Sequence, residues 1–343
     1  MNVTFLIGNG FDLGVGLRTG YKDFYKVYCE SESTGNSALK HFKADILKHP
    51  DTWADFESSF GQYASNFLSS DEYMQLFEDF TNGISQYIEK EERRFDETNT
   101  DEMIRGMKTG LTNYYKLRPV DRAVLDDIIS RNFKTYNFIT FNYTQCLDKC
   151  VDAIKSSPKR AELIQGEIDR VVHVHGYTNK DMIIGVNDGS QIANDAFAQN
   201  STVIDEIVKP RQNEIIKMNY DYRATKLIQE STIICIYGMS LGATDQKWWE
   251  LLLEWLQADE NRHLIILKHE DPNKPLRLIP HWRRFVNQTK DSLFSYGEIP
   301  EESKEKLEAR IHIDVDNNIF AMNLRKKLKA SVENVDAILA GIK

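Results

Sequence analysis

The sequence has few cysteines, no excess of basic residues and no long apolar run. Its four cysteines in 343 residues form no Cys-x-x-Cys pair, so zinc ribbons and disulfide scaffolds lack support and a reduced compartment is expected. The net charge of −9 argues against extended binding to DNA or anionic lipid, although local basic pockets are compatible with it. No stretch approaches the roughly 18 apolar residues of a membrane span, and the N-terminus lacks the basic region of a signal peptide. We therefore expect a cytoplasmic protein with no membrane partner.

Several catalytic signatures are also missing. The Gly-x-x-x-x-Gly-Lys-Ser/Thr motif of P-loop nucleotidases does not occur, and neither does the Gly-x-Ser-x-Gly elbow of serine hydrolases. No spacing of His, Cys and Asp indicates a strong metal site. The hydrophobic share of 41 % is nevertheless ample for a folded core, which excludes wholesale disorder.

Short aliphatic and β-branched runs alternate with longer amphipathic stretches, which is typical of an α/β protein. Several runs are apolar at successive positions, as in 233–237 and 264–267, and this favours strands that are buried on both faces of a parallel sheet. We predict a doubly wound, mostly parallel, Rossmann-like sheet. The predicted strands are 2–7, 136–141, 170–174, 182–186, 232–237, 263–268 and 310–314.

A helical region separates the first two predicted strands. From about residue 38 to 131, aromatic and aliphatic residues keep helical spacing. These ~90 residues exceed what one crossover helix needs, which indicates an inserted helical lobe. We therefore divide the chain into a core of residues 1–37 and 132–343 and a lobe of residues 38–131.

A glycine-rich turn follows the first predicted strand. Gly8, Gly10, Gly14 and Gly16 would let the backbone turn sharply and approach a ligand closely. If a helix begins there, its N–H groups would favour a pyrophosphate. The spacing is not Gly-x-Gly-x-x-Gly, because position 13 is leucine, so a turn without a ligand is the alternative interpretation.

Polar residues also follow the next strands. Asn142 comes after the second predicted strand, and His173 and His175 end the third. Ligands of open parallel sheets lie beyond the carboxyl ends of strands. Strand alternation predicts the two histidine rings on the same side, and we select His175 because it adjoins Gly176, where the chain leaves the sheet. A hydrogen-bonded core histidine is the alternative for either ring.

Further candidates follow other strands. Gly238 and Ser240 come after the strand at 232–237, and Asp245 begins the next helix, where Thr244 could equally be an N-cap. Glu57 lies among aromatic residues of the predicted lobe, either on the surface or facing a cleft. Asp188 follows the run at 182–186 and could belong to a turn or contact a ligand.

The order of these motifs resembles the sirtuin-type NAD-binding core. The active asparagine of that superfamily matches Asn142, its catalytic histidine matches His175, and a Gly-x-Ser-Leu turn at the ribose matches 238–241. Two features depart from the pattern. Thr144 stands where an aspartate is usual, unless Asp12, Asp188 or Asp245 substitutes for it. The four-cysteine zinc module of the deacetylases is absent as well, so protein deacylation is not expected.

More specifically, the chain resembles the AbiH family of bacterial abortive-infection proteins. The resemblance extends over most of residues 1–255. The segments that carry it are 7–13, 53–57, 141–144, 173–176, 185–188 and 238–245.

The resemblance implies cleavage of the nicotinamide–ribose bond of NAD. Asn142 and His175 would be catalytic, with no metal cofactor. The residues that would bind NAD are Gly8, Asn9, Gly10, Phe11, Asp12, Tyr143, Asp188, Gly238, Ser240, Leu241 and Asp245. The backbone N–H groups of residues 8–11 would receive the pyrophosphate, and Ser240 would contact ribose hydroxyls. The implied role is an NAD-consuming anti-phage toxin.

Two other functions stay open. A nuclease or phosphodiesterase could use Asp12, Glu57, Asp188 and Asp245 as Mg²⁺ ligands and would then bind nucleic acid. A nucleotide-sensing module without catalysis is the third interpretation. A homo-oligomer, a phage-derived trigger and an operon partner are compatible with each of them.

Overall fold

A single parallel sheet organises the fold. The computed structural model describes residues 1–31, 36–130, 132–269, 276, 278–315 and 318–326. Its strands are β1 Asn2–Ile7, β2 Lys134–Thr140, β3 Gly166–His173, β4 Ile233–Tyr237, β5 His263–Lys268 and β6 Ile311–Val315. All five pairings are parallel, and the strand order is β3-β2-β1-β4-β5-β6. The predicted α/β class with a parallel sheet is confirmed.

Helices cover the sheet and fill the long connection after β1. The helices before β2 are α1 Gly10–Gly14, α2 Tyr21–Tyr28, α3 Ser37–Lys48, α4 Phe56–Tyr63, α5 Ser70–Glu92, α6 Thr100–Asn113 and α7 Pro119–Ser130. Those between β2 and β4 are α8 Cys146–Ser156, α9 Arg160–Leu163, α10 Asp195–Ala198, α11 Ser201–Ile207, α12 Lys209–Ile216 and α13 Tyr220–Gln229. The later helices are α14 Gln246–Ala258, α15 Ile279–Phe294 and α16 Glu301–Glu308. Within the described ranges, none of these helices is long and apolar enough to traverse a bilayer.

Each face of the sheet has its own hydrophobic cluster, because successive strand residues point to opposite faces. The face A cluster contains Phe5 and Phe138 and extends into α6, α7 and α8. The face B cluster contains Leu6 and Ile139 and extends into α13, α14 and α15. Since both faces are covered, the strands are apolar at successive positions, and all five residues of β4 are buried.

A third cluster lies among the helices after β1. This aromatic cluster, which includes Trp53, Phe56, Phe60 and Phe80, joins α2, α3, α4 and α5. Residues of the segment 182–208 pack into the same cluster. The division into a core and a lobe of residues 38–131 stays a prediction, and residues 131 and 327–343, which it includes, lie outside the described residues.

One predicted strand is wrong. Residues 182–186 form no strand and make a single parallel bridge, between Val186 and Val208. Their apolar side chains, Ile184 and Val186, are buried in the aromatic cluster instead. The apolar run therefore predicts correctly that these side chains are buried, but it does not predict whether the segment belongs to the sheet.

Candidate functional site

A cavity of about 280 Å³ opens at the carboxyl end of the sheet. It lies beside β1 and β4, where the strand order reverses direction, and such a switch point is where open α/β sheets bind ligands. Helical residues after β1 close its other side. The predicted site residues that line it are Gly8, Asn9, Asp12, Asn142, Tyr143, His175, Gly238, Ser240 and Asp245.

The turns after β1 and β4 pack directly on each other. A Cβ atom on Gly10 would lie 2.4 Å from the Cα atom of Gly238, and Gly238 has a φ of +68°, which favours glycine. The Gly8 N–H donates to the Tyr237 carbonyl at 3.0 Å, and the Gly10 N–H donates to the Gly238 carbonyl at 2.9 Å. These glycines thus permit a close contact between two turns of the protein.

These hydrogen bonds use backbone N–H groups that were expected to bind a pyrophosphate. The Phe11 N–H also donates within the turn, to the Gly8 carbonyl at 3.0 Å. Three of the four N–H groups at residues 8–11 are therefore already bonded to protein carbonyls. The Asn9 side chain lines the cavity, and its amide oxygen accepts a hydrogen bond from the Thr19 hydroxyl.

Asn142 is fixed to the first turn by its side chain. Its amide Nδ2 donates to the Gly8 carbonyl at 3.1 Å, and its backbone N–H donates to the Thr140 hydroxyl at the same distance. The residue is buried and lines the cavity. A residue held through both its side chain and its backbone in this way is positioned before a ligand arrives.

Asp12 is a buried carboxylate at the edge of the same cavity, with a residue exposure of 1 %. The Thr144 hydroxyl lies 3.0 Å from Oδ1 and 2.9 Å from Oδ2 of Asp12 and donates to this carboxylate. Burial raises the pKa of Asp12 to about 7, against hydrogen bonds from Thr144 and Asn142 that lower it, and the nearby Glu92 raises it further. Asp12 therefore changes its charge near neutral pH.

His175 belongs to a second, charged group. Its Nε2 atom lies 3.5 Å from Oδ1 of Asp245, and the Lys209 ammonium donates to that same oxygen at 3.1 Å and to Glu57 Oε2 at 2.8 Å. Burial alone would raise the pKa of Asp245, but the Lys209 charge and the hydrogen bond with His175 outweigh burial and lower it. The Asp245 carboxylate thus stays ionised beside the imidazole, where it can stabilise a protonated ring.

Contrary to the prediction from strand alternation, the rings of His173 and His175 do not lie on the same side of the sheet. The His173 Nε2 atom lies 2.8 Å from Asp148 of α8, on face A, whereas His175 contacts Asp245 next to α14, on face B. Strand β3 ends at His173, so strict alternation does not extend to His175, and Gly176 turns the chain with a φ of +65°. His175 lines the cavity, as selected from the sequence.

Four predicted contact residues lie elsewhere. Gly10 packs against Gly238, and Phe11 is fully buried in the face A cluster. Leu241 packs against the face B cluster. Asp188 is exposed, and its carboxylate accepts the Ser190 N–H at 2.7 Å to cap the short 3-10 helix Gly189–Gln191. Direct contact with a ligand in this cavity is therefore not supported for these four.

The sequence did not single out several residues of the site. Thr19, Tyr21 and Asp55 line the cavity from the turn and helices that follow β1, and Lys209 holds Glu57 and Asp245 from behind it. The glycine turn that precedes Thr19 was the available signal for the first two. Lys209 begins α12, and nothing in its local sequence indicates a buried cation.

Three of the four carboxylates proposed as Mg²⁺ ligands, Asp12, Glu57 and Asp245, line the cavity, but the four do not form a metal-binding group. Asp188 is exposed and caps the 3-10 helix, and the Lys209 ammonium occupies the position between Glu57 and Asp245. In the part of the chain that the structure describes, no group of three or more His, Cys, Asp or Glu side chains could hold a metal ion. The donor set therefore does not favour the metal-dependent alternative.

Comparison with known proteins gives one family. A family model described as bacteriophage abortive infection AbiH matches residues 4–267, which include most of β1 and β5, all of β2 to β4 and every residue of the cavity. Comparison of the chain with curated proteins gives no match.

Proposed function

Because the chain belongs to the AbiH family of bacteriophage abortive infection proteins, we propose that it is an anti-phage effector that hydrolyses NAD at the nicotinamide–ribose bond. The observation that carries this proposal is the meeting of Asn142 and His175 in one cavity at the sheet's switch point. The strand order 3-2-1-4-5-6 is also that of dinucleotide-binding Rossmann folds. The sirtuin-type relationship is part of the proposal.

The chemistry needs few groups. Nicotinamide carries a positive charge in NAD, so it leaves without a strong general acid, and the transition state resembles an oxocarbenium ion. Asn142, which is fixed to the Gly8 carbonyl, would orient the ribose or the attacking water. His175 would accept the proton that the water loses, and the ionised Asp245 would stabilise the resulting imidazolium. Ser240, which is exposed to the cavity, would contact ribose hydroxyls.

The test is NAD quantification in cells that express the chain, during phage infection, together with NAD hydrolysis by the purified protein. We expect NAD loss with the wild type and at least about a hundredfold slower loss with His175→Ala, because general acid–base catalysis contributes roughly 10²–10⁴ in rate. Asn142→Ala should slow the loss by about a hundredfold as well, because misplacing the ribose or the water costs roughly that factor. His41→Ala, which changes an exposed histidine of α3, is the matched control and should behave as wild type.

Intact NAD in infected cells and with the purified protein would overturn the proposal, as would toxicity that survives both substitutions. Cleavage of RNA or DNA that EDTA abolishes would favour the nuclease alternative. Tight ADP-ribose binding without turnover would favour a sensing module.

A further inference from the structure

Asp12 is a carboxylate that the proposed mechanism has not used. It is buried, it lines the cavity, and in the described part of the chain its hydrogen-bond partners are hydroxyl and amide groups rather than a lysine or arginine. Burying a carboxylate without a cation costs stability. Such groups concentrate at functional sites, where their charge acts on a ligand.

Its surroundings distinguish it from the other carboxylates of the cavity. Glu57 and Asp245 are neutralised in part by Lys209. Asp12 instead shares the neighbourhood of Asn142, whose amide lowers the pKa of Asp12 through a hydrogen bond. Since Asn142 is the residue that the proposed function assigns to the ribose or the attacking water, Asp12 would face the ribose side of a bound NAD.

The Asp12 carboxylate is held in place by Thr144. A sirtuin-type core would carry an aspartate at position 144, and here the threonine hydroxyl donates to both oxygens of Asp12, which lies 132 positions earlier in the chain. The negative charge is thus supplied from α1, the short helix that follows β1. Thr144, which is itself buried, orients it.

We propose that Asp12, held by the Thr144 hydroxyl, is a further catalytic residue whose carboxylate stabilises the positive charge that develops on the ribose as the glycosidic bond breaks. The proposal rests on the proposed function. The C–N bond breaks with its electron pair on the pyridine nitrogen, the water oxygen bonds to the ribose carbon, and the water proton goes to His175 and then to solvent. Asp12 transfers no proton and acts by its charge.

The ionisable groups around Asp12 bear on its titration. Glu92 of α5 raises its pKa, and His173 of β3 lowers it. Cys146 and Cys150 of α8 face it as thiols, because burial raises the pKa of each well above its ordinary value. The hydroxyl of Thr144 stabilises the ionised form, so its removal should raise the pKa of Asp12.

The experiment measures kcat for NAD hydrolysis between about pH 5.5 and 9 in four proteins. Wild type and Thr144→Ser should show kcat rising with pH near 7. Thr144→Val should move that rise upward by about one pH unit, because the ionised carboxylate loses a hydrogen bond. Asp12→Asn should lower kcat by a larger factor than it changes KM. The double variant Asp12→Asn/Thr144→Val should have the same pH profile as Asp12→Asn alone.

Each outcome decides a specific point. Because the folded fraction of Thr144→Val can change with pH, kcat is normalised to the folded fraction measured by circular dichroism at each pH, so partial unfolding does not obscure the shift. An unshifted profile in Thr144→Val, or wild-type kcat in Asp12→Asn, would overturn the role of Asp12 and leave the proposed function standing. Wild-type protein that leaves NAD intact would overturn the proposed function, and the role of Asp12 with it.

Discussion

Asp12, which is buried, and Asp245, which is partly buried, are aspartates of one cavity whose environments move their pKa values in opposite directions. Burial raises the pKa of Asp12 to about 7 because no lysine or arginine among the described residues opposes it. Burial acts on Asp245 as well, but Lys209 and His175 outweigh it and lower the pKa. Divergent pairs of this kind mark the two roles of carboxylates in glycoside-cleaving sites. The Asp245 carboxylate stays charged beside the His175 imidazole, and the charge of Asp12 changes with pH.

The raised pKa of Asp12 predicts that Asp12→Asn stabilises the protein at neutral and higher pH. Between the ordinary pKa of 3.8 and about 7, the unfolded chain has lost the Asp12 proton while the native state retains it. Native stability from this group is therefore lost as pH rises through that window. Asparagine avoids this loss and still accepts the Thr144 hydroxyl. We expect the free energy of unfolding of Asp12→Asn at pH 8 to exceed that of wild type by roughly 1–4 kcal/mol.

Urea unfolding at pH 4 and at pH 8 tests this expectation, with the gain confined to the higher pH. The control is Asp188→Asn, an exposed cap residue where asparagine caps equally well, and it should change little. An Asp12→Asn protein less stable than wild type at pH 8 would mean that the carboxylate is a structural group. This measurement needs no NAD, so it does not depend on the proposed reaction.

At the scale of elements, the contact between the turns after β1 and β4 predicts a steric requirement for glycine. Gly10→Ala would place a Cβ atom 2.4 Å from the Gly238 backbone, and neither turn can retreat without breaking the hydrogen bond between Gly10 and Gly238. We expect a loss of roughly 2–4 kcal/mol in unfolding free energy.

Gly14→Ala is the matched control for this prediction. It lies in the same short helix, and its Cβ atom would meet nothing closer than 3.6 Å, at the Tyr237 hydroxyl. Thermal unfolding of the two variants should therefore separate them, with Gly14→Ala near wild type. Equal stability of both would show that the turns can move apart, and that the glycines are not there for this contact.

The sequence predicts the bounds of a strand well where the apolar run lies within the sheet. The predicted bounds of β1 and β5 match the structure, because these strands are apolar at successive positions and are buried on both faces. Residues 182–186 have the same pattern but lie in a loop, where Ile183 donates to the His175 carbonyl and Val186 to the Ile207 carbonyl. A local apolar run records that side chains are buried, and the partner of the backbone depends on the rest of the chain.

In the site as well, residues at strand ends could be predicted from local sequence, whereas contacts that depend on distant parts of the chain could not. Asn142 and His175 follow strands, and the ends of parallel strands meet at one edge, so their proximity could be predicted. Glu57 and Lys209 lie 152 positions apart, and their ion pair depends on how α12 packs against α4. Thr144 did carry a signal, because it stands where the sirtuin-type pattern has an aspartate. Asp12 was one of three residues that could substitute for that missing negative charge.

At the scale of the whole molecule, the net negative charge of the chain is accompanied by a cavity lined with carboxylates. Asp12, Asp55, Glu57 and Asp245 line it, and among the described lining residues none is lysine or arginine. Lys209 offsets part of this charge from behind the wall. The backbone N–H groups after β1 are mostly bonded as well. If the proposed function holds, such a cavity would favour the cationic end of the dinucleotide over its phosphates.

This charge predicts that the cavity distinguishes NAD⁺ from NADH, whose nicotinamide ring is neutral. One unit charge about 4 Å from a carboxylate gains about 1 kcal/mol even in water, so we expect NAD⁺ to bind at least about fivefold more tightly. Because Asp12 ionises near pH 7, the ratio should increase from pH 6 to pH 8 and shrink in high salt. Calorimetric titration of His175→Ala protein, in which turnover is suppressed, measures both ligands. ADP-ribose, which lacks the ring, should bind without this pH dependence. NADH binding as tight as that of NAD⁺ at pH 8 would contradict the cationic selectivity, because a neutral ring gains nothing from the carboxylates.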